Sequence, residues 1–476
     1  MDTKIVVHDR LGYRISTQYS DQFFYKQIKS DLTLSSVDYH TQELVNSIYY
    51  YETEKALLVP RFFPIQDYVN NSSIEKQEEW KSKKIKIKSK IVPRNDIQKD
   101  SIDYLMTHPH SLLQLDPGSG KTIIAIDVLC KIKYKTIIFV HRDSLMEQWR
   151  DRLKSFTNII DNKIGVLSTK SYEYVLNNCD IILSSVQAFN AILRNKNHIK
   201  NFQKLLYHSG IGLMIGDEVH TTIGAPKFSI ASMFIPCHRT IGLSATPDRE
   251  DGTFKIIKYH LGEVYESKFD SETMNAAVDV ILFNFELLKG RERWLFWEGK
   301  FQYGRYYQIL KNSTIFRQVL NNIITQMIND NRNIVLMAER LKLLDKLMIE
   351  FSDYDVVAFT SGIKNDCLSH KIVFTTPGKM RDGVDAPWKD TLIMTSPIKN
   401  INQATGRIIR TYIDKKDPLI IDIVDTGIKN IKSTFRKTRL PFYNKKGWEV
   451  RFFAFDETGY LNEMDKDNAY QLSGMK

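Results

Sequence analysis

The chain has 476 residues, room for two to four domains, and carries 67 Lys and Arg against 56 Asp and Glu, a net charge of +11 that makes nucleic acid the default partner. Cys130, Cys179, Cys237 and Cys367 are isolated, which excludes a disulfide scaffold and a Cys-x-x-Cys zinc site. The charged start, Met1 to Arg10, excludes a recognisable signal peptide, and no apolar run is long enough to cross a membrane.

Residues 1 to about 68 mix short β-like runs (Lys4 to Val7, Tyr13 to Ser16, Ala56 to Val59) with an aromatic middle, Tyr49 to Tyr51, as in a small α+β domain. The stretch from Val69 to Lys90 is polar and then basic, with Lys81, Lys83, Lys84, Lys86, Lys88 and Lys90. It reads as a linker, a phosphate-contacting strand or a solvated face. The composition break there implies that the first 90 residues can be removed from a folded remainder. From Val92 strands and helices alternate as in a doubly wound parallel sheet, with strand runs at Ser111 to Leu115, Thr136 to Val140, Ile181 to Leu183, Leu213 to Ile215 and Thr240 to Leu243. A helix through Leu145, Trp149, Leu153 and Phe156 follows the second.

Residues 252 to 271 lack sheet rhythm, and a second α/β series then runs through Val278 to Phe283, Ile334 to Met337, Val356 to Phe359, Ile372 to Phe374, Thr391 to Met394 and Leu419 to Ile423. Between its first two strands Trp294 to Tyr307 interleaves aromatic and basic residues, a pattern that suits single-strand contact or a loop packed on the domain. The tail is basic and then strand-like to Phe455, and the last twenty residues read as loose chain.

Gln114-Leu-Asp-Pro117-Gly118-Ser119-Gly120-Lys121-Thr122 places a glycine turn between a strand and the apolar-periodic helix Ile123 to Ile132. That order sets backbone N–H groups and a positive helix end against a polyphosphate, with Lys121 toward the β- and γ-phosphates and the Thr122 hydroxyl toward Mg²⁺. Asp217 and Glu218 close the strand run Leu213 to Ile215, where Asp217 can hold the metal and Glu218 can orient or deprotonate a water.

Asp217-Glu-Val-His220, Gly242-Leu-Ser-Ala-Thr-Pro247 with Arg249-Glu250-Asp251-Gly252, and Gln403-Ala-Thr-Gly-Arg407-Ile-Ile-Arg410 resemble superfamily 2 DNA helicases of the XPB/UvsW subgroup, most of all phage branch-migration helicases. The resemblance covers roughly residues 92 to 426. His141-Arg142 to Trp149 resembles motif Ia, Ser184-Ser185-Val-Gln187 motif Ib, and Thr375-Thr376 through Asp382-Gly-Val-Asp385 motif V. Leu58-Val-Pro-Arg61 resembles an element near the N-domain boundary of phage relatives.

The resemblance implies an α/β fold: a small α+β N-terminal domain and basic linker (1–90), a RecA-like ATP-binding domain (91–272), a second RecA-like domain (273–432) and a C-terminal extension (433–476). ATP and Mg²⁺ are the implied cofactors. Lys121, Asp217, Glu218, Arg407 and Arg410 are the implied catalytic residues, with Arg407 and Arg410 on one helix face. Gln98, Pro117, Gly118, Ser119, Gly120, Thr122 and Asp385 bind the nucleotide, and Thr122 and Asp217 hold the metal. His220, Ser244, Ala245, Thr246 and Gln403 couple hydrolysis to nucleic acid, which Arg142, Ser185, Gln187, Arg249, Glu250, Asp251, Thr375 and Thr376 contact. The expected protein is a monomeric, cytoplasmic helicase or translocase on branched or duplex DNA, in the host cytoplasm if phage-encoded. An RNA-directed or transcript-releasing helicase and a non-hydrolysing nucleic-acid scaffold are the competing readings.

Overall fold

In the strand Thr136–Val140, Ile137 and Phe139 belong to one apolar cluster while Ile138 and Val140 belong to another. Successive side chains alternate between faces, so a strand covered by helices on both sides reads as one continuous apolar run. The computed structural model describes residues 5–37, 44–77, 81–116, 118–222, 226–245, 253–269, 273–283, 292–360, 365–383, 386–395, 397–398, 401–455 and 461–473. The chain divides into two units, Met1–Ser271 and Glu272–Lys476.

The first unit begins with β1 (Val6–Asp9), β2 (Gly12–Ser16), α1 (Phe23–Asp31), β3 (Thr33–Val37), β4 (Leu44–Ile48), β5 (Tyr51–Glu52), β6 (Ala56–Val59) and β7 (Ile74–Lys76). They form a sheet ordered β5-β6-β2-β1-β7 and a separate β3-β4 hairpin. Then come α2 (Asp96–Thr107), β8 (His110–Gln114), α3 (Lys121–Ile132), β9 (Thr136–Val140), α4 (Asp143–Phe156), β10 (Ile164–Val166), β11 (Ile181–Ser185), β12 (Leu213–Asp217), β13 (Arg239–Ser244) and β14 (Glu263–Glu266). Their seven strands form a parallel sheet ordered β10-β11-β9-β12-β13-β8-β14. β14 lies in the stretch that lacks sheet rhythm in the sequence.

The N-terminal residues pack against the parallel-sheet body. Ile256, from the parallel-sheet body, is a member of the N-terminal apolar cluster, and Leu58 is a member of a cluster of that body. Arg61 is 7% exposed and donates from Nη2 to the carbonyls of Arg10 (2.7 Å) and Ile235 (3.0 Å). The Phe62 N–H donates to Tyr259 O (2.7 Å), and the Tyr51 and Phe234 rings meet edge-on at 5.1 Å. The composition break at the basic run thus falls inside one compact unit, Met1–Ser271.

The basic run is also fixed to this body. Ile85 and Ile87 are buried in the core beneath α3, while Lys86, Lys88 and Lys90 point outward, a period of two along extended chain. Backbone bonds Lys83 N to Gly210 O (2.7 Å), Ile85 N to Lys133 O (2.9 Å) and Lys90 N to Phe156 O (2.8 Å) hold it as a strap.

The second unit contains β15 (Ala277–Phe283), the hairpin β16 (Phe296–Trp297) and β17 (Lys300–Phe301), β18 (Ile334–Met337), β19 (Val356–Phe359), β20 (Ile372–Thr375), β21 (Thr391–Met394), β22 (Leu419–Asp425), β23 (Glu449–Phe455) and β24 (Leu461–Met464). Eight of these make a sheet ordered β19-β20-β18-β21-β22-β15-β23-β24, parallel except for the β23-β24 pair. The residues read as a C-terminal extension thus complete this sheet, and the supposedly loose end holds β24 and a helix, Lys466–Ser473. Inside, the Arg439 guanidinium and the Tyr443 hydroxyl (2.8 Å) both donate to the buried Asp422 carboxylate.

Candidate nucleotide and nucleic-acid site

The turn between β8 and α3 needs its glycines. Gly118 has φ +90° and Gly120 φ +91°, backbone that L side chains rarely adopt, and a Cβ on Gly120 would strike the Gln98 amide. Gln98 is buried beneath the turn, its Nε2 donating to Ser119 O (3.2 Å) and its Oε1 accepting from Arg94 N (3.0 Å). Arg94 Nη2 also donates to Gly118 O (2.8 Å), although Arg94 stands one residue further from Gln98 than in the usual Arg-x-x-Gln. Gln98 therefore braces the loop. Lys121 Nζ donates to the carbonyls of Leu115 (2.9 Å) and Asp116 (3.2 Å) across the loop.

β13 separates the loop strand from the carboxylate strand, with Ser244 opposite Gln114 on β8 and Leu243 opposite Asp217 on β12. The three strand ends thus bring the loop, Ser244 and Asp217 to one edge, where ligands of parallel α/β sheets bind. Asp217 Oδ2 accepts from Trp149 Nε1 (2.8 Å), and its Oδ1 accepts from Glu218 N (3.1 Å). Burial, followed by the Glu218 carboxylate, pushes the Asp217 carboxyl above its ordinary range, while the Trp149 bond and the charges of Lys121 and Arg152 oppose this. Glu218 has φ +47°, a left-handed conformation that costs a side-chain-bearing residue about 1 kcal/mol or more.

Arg152 was not singled out by sequence, yet its Nη1 donates to the Thr122 hydroxyl (2.9 Å). Trp149 and Arg152 stand three apart on α4, the spacing that puts two side chains on one helix face. That spacing is the signal that could have found Arg152. The donor set suits a nucleotide with a divalent cation: left-handed glycines at a helix N-terminus, a lysine over the loop, a hydroxyl, and a half-buried carboxylate whose raised affinity for protons a cation would relieve.

Motifs Ia and Ib meet because Ser185 at the end of β11 pairs with Val140 at the end of β9. Arg142 and Gln187 are exposed there, and Gln187 Nε2 donates to His141 O (3.4 Å). Ser185 is buried and its hydroxyl caps the next helix, accepting from Ala188 N (3.2 Å). Thr375 is 0% exposed and donates to Phe359 O (2.7 Å), so its hydroxyl is held inside the sheet, whereas the half-buried Thr376 accepts from Lys379 N (3.3 Å). Ser244 is buried and Ala245 nearly so.

Arg407 lies in the helix Asn402–Ile408. Arg410 lies beyond the helix end, in a bridge with Thr273, so the two arginines do not share one helix face as the spacing implies. Lys415 Nζ donates to the carbonyls of Pro387 (2.9 Å), Ile408 and Arg410 (2.8 Å), which ties this turn to the chain after motif V. Pro117, Thr246, Arg249, Glu250, Asp251 and Asp385 lie outside the described residues, as do the side chains of His220 and Gln403.

The order of these parts is similar to that of ATP-dependent helicases, and the sequence comparisons point the same way. Residues 67–249 match the family model described as "Type III restriction enzyme, res subunit". The chain is 26% identical over 470 residues to "Putative ATP-dependent RNA helicase L396" of Acanthamoeba polyphaga mimivirus, covering 94% of this chain and 87% of that protein. It is 23% identical over 357 residues to "Probable helicase D10" of Escherichia phage T5, covering 70% and 71%. Among solved structures, T4 UvsW overlaps 95% of this chain and 99% of its own with 16% identity and a TM-score of 0.35. Among the described residues no helix is long and apolar enough to cross a membrane.

Proposed function

We propose that this helicase uses ATP and Mg²⁺ to translocate on DNA and remodel branched structures, forks or junctions, in replication, recombination or repair. The observation that carries the reading is the single edge where the Gly118 to Thr122 loop, Ser244 and the Trp149-held Asp217 converge. The bound nucleotide supplies a γ-phosphoryl group whose transfer to water releases the free energy of translocation. Lys121 would hold phosphate oxygens, and Thr122 and Asp217 would hold the cation, which would neutralise phosphate charge. Glu218 orients the attacking water and takes its proton. Arg407 and Arg410 meet the charge that develops on the transferred group, a role that suits the rigid donor fork of guanidinium. Ser244 and its neighbours couple this chemistry to the strand held by Arg142 and Gln187.

DNA is favoured by the motif resemblance to the XPB/UvsW subgroup and is compatible with the net charge of +11. The printed name of the mimivirus relative favours RNA as a second reading. Strand-separation and ATPase assays across forks, Holliday junctions, linear duplex and RNA decide between them. The proposal expects the largest response to branched DNA, and a response confined to RNA overturns it.

A further inference from the structure

The aromatic stretch of the second unit divides into an inner and an outer set. Leu295 and Tyr306 are buried in the core, and Phe301, Tyr303 and Tyr307 pack against it. Trp294, Phe296 and Trp297 are 46%, 39% and 59% exposed on the β16-β17 hairpin and the turn before it. Glu298 (φ +48°) and Gly299 (φ +74°) form its two-residue turn, with Trp297 opposite Lys300. A Cβ on Gly299 would meet nothing within 4 Å, so the tip stands in open space.

Arg305 fixes the outer rings. Its Nη1 donates to Trp294 O (2.6 Å), and its guanidinium lies 5.5 Å and 5.6 Å from the Trp294 and Trp297 ring centres. The helix that follows the hairpin, Tyr303–Asn312, is tied to the chain after β18. Arg340, three residues past the end of β18, donates from Nη2 to Gly304 O (3.0 Å) and lies 5.9 Å from the Tyr307 ring. The last residue of β18, Met337, pairs with Thr375 of motif V.

We propose that Trp294 and Trp297, braced by Arg305, are a base-stacking platform for a single strand of nucleic acid passing the carboxyl edge of the second sheet. This rests on the helicase reading and extends it to residues outside the motif blocks. Three features select this occupant. The rings are rigidly mounted above a core, which lowers the ordering loss on stacking. In sequence they lie among Arg291, Arg293, Lys300 and Arg305 against Glu292 and Glu298, a balance that favours phosphate. Their edge is the one that carries motif V.

The test uses the full chain, a fluorescein-labelled oligothymidylate and a labelled abasic strand of the same length, followed by anisotropy at several salt concentrations. The Trp294→Ala/Trp297→Ala variant is expected to bind oligothymidylate about tenfold more weakly, with the abasic strand bound as by wild type and the salt dependence unchanged. Trp297→Phe, which keeps a ring, retains most of the affinity and guards against a folding artefact. Oligothymidylate affinity within about twofold of wild type in the double variant overturns the proposal, as does an equal loss on both strands. Sedimentation in which wild type self-associates and the double variant does not assigns the patch to a second copy of the chain and likewise overturns it. Wild type that binds neither strand refutes the helicase reading itself.

Discussion

Arg61→Ala tests whether the N-terminal residues and the first parallel-sheet body form one cohesive structure. The substitution removes a nearly buried guanidinium that donates to the carbonyls of Arg10 and Ile235, one from each part. Hydrogen bonds from a charged donor contribute about 1.5–3 kcal/mol each, so losing both destabilises the junction by about 3–5 kcal/mol, after allowance for water entering the space. The adjoining bond from Phe62 N to Tyr259 O reports the effect. Hydrogen exchange by mass spectrometry on the full chain is expected to quicken by about two to four orders of magnitude in peptides spanning residues 56–63 and 256–262. The second unit, exemplified by β18 and β22, keeps its protection. Exchange in both peptides unchanged from wild type would refute the shared-core argument and restore a separable N-terminal domain.

Trp149→Phe keeps most of the ring but removes the N–H that holds Asp217, so the Mg²⁺ concentration for half-maximal ATP hydrolysis should rise about tenfold. An unchanged metal titration contradicts this. His110 and His260 are held neutral, mainly by burial, with pKa values of about 3 against 6.5 when exposed. The unfolded chain therefore binds more protons between those values, and stability present at pH 7 is lost as the pH falls below about 6.5, by about 2 kcal/mol for each group at pH 5. Urea denaturation at the two pH values should show this, with a shallower dependence in His260→Gln, and identical dependence in that variant rules His260 out as a source. Arg410→Lys is expected to lower turnover on the order of 10³-fold while nucleotide binding survives, whereas Lys121→Ala impairs both. Near-wild-type turnover in Arg410→Lys at saturating ATP and DNA removes Arg410 from the hydrolysis step.

Legibility in the sequence followed burial. Thr136–Val140, Ile334–Met337 and Thr391–Met394 are visible to the residue because central parallel strands need apolar side chains on both faces. β14 is a sheet edge with only Tyr265 buried, so Glu263-Val-Tyr-Glu266 carries little apolar signal. In the strap, charge masked the alternation, since lysines between Ile85 and Ile87 drew attention from the two residues that fix it. The glycine loop and the carboxylate pair are local in sequence and were readable at once. Trp149 and Arg61 act through partners tens of residues or more away, which no local pattern encodes, and only the spacing of Arg152 to Trp149 points to Arg152. Arg410 fell beyond a helix whose end, at Ile408, is unmarked by Gly or Pro.

The central claim is that nucleic acid drives ATP hydrolysis at the Gly118 to Thr122 loop. Steady-state turnover of the full chain with ATP and Mg²⁺, alone and with forked DNA, matched linear duplex or RNA, tests it most directly. Turnover is expected to be slow alone and strongly stimulated, most of all by forked DNA, with both lost in Lys121→Ala. Turnover that no nucleic acid changes, or that persists in Lys121→Ala, contradicts it.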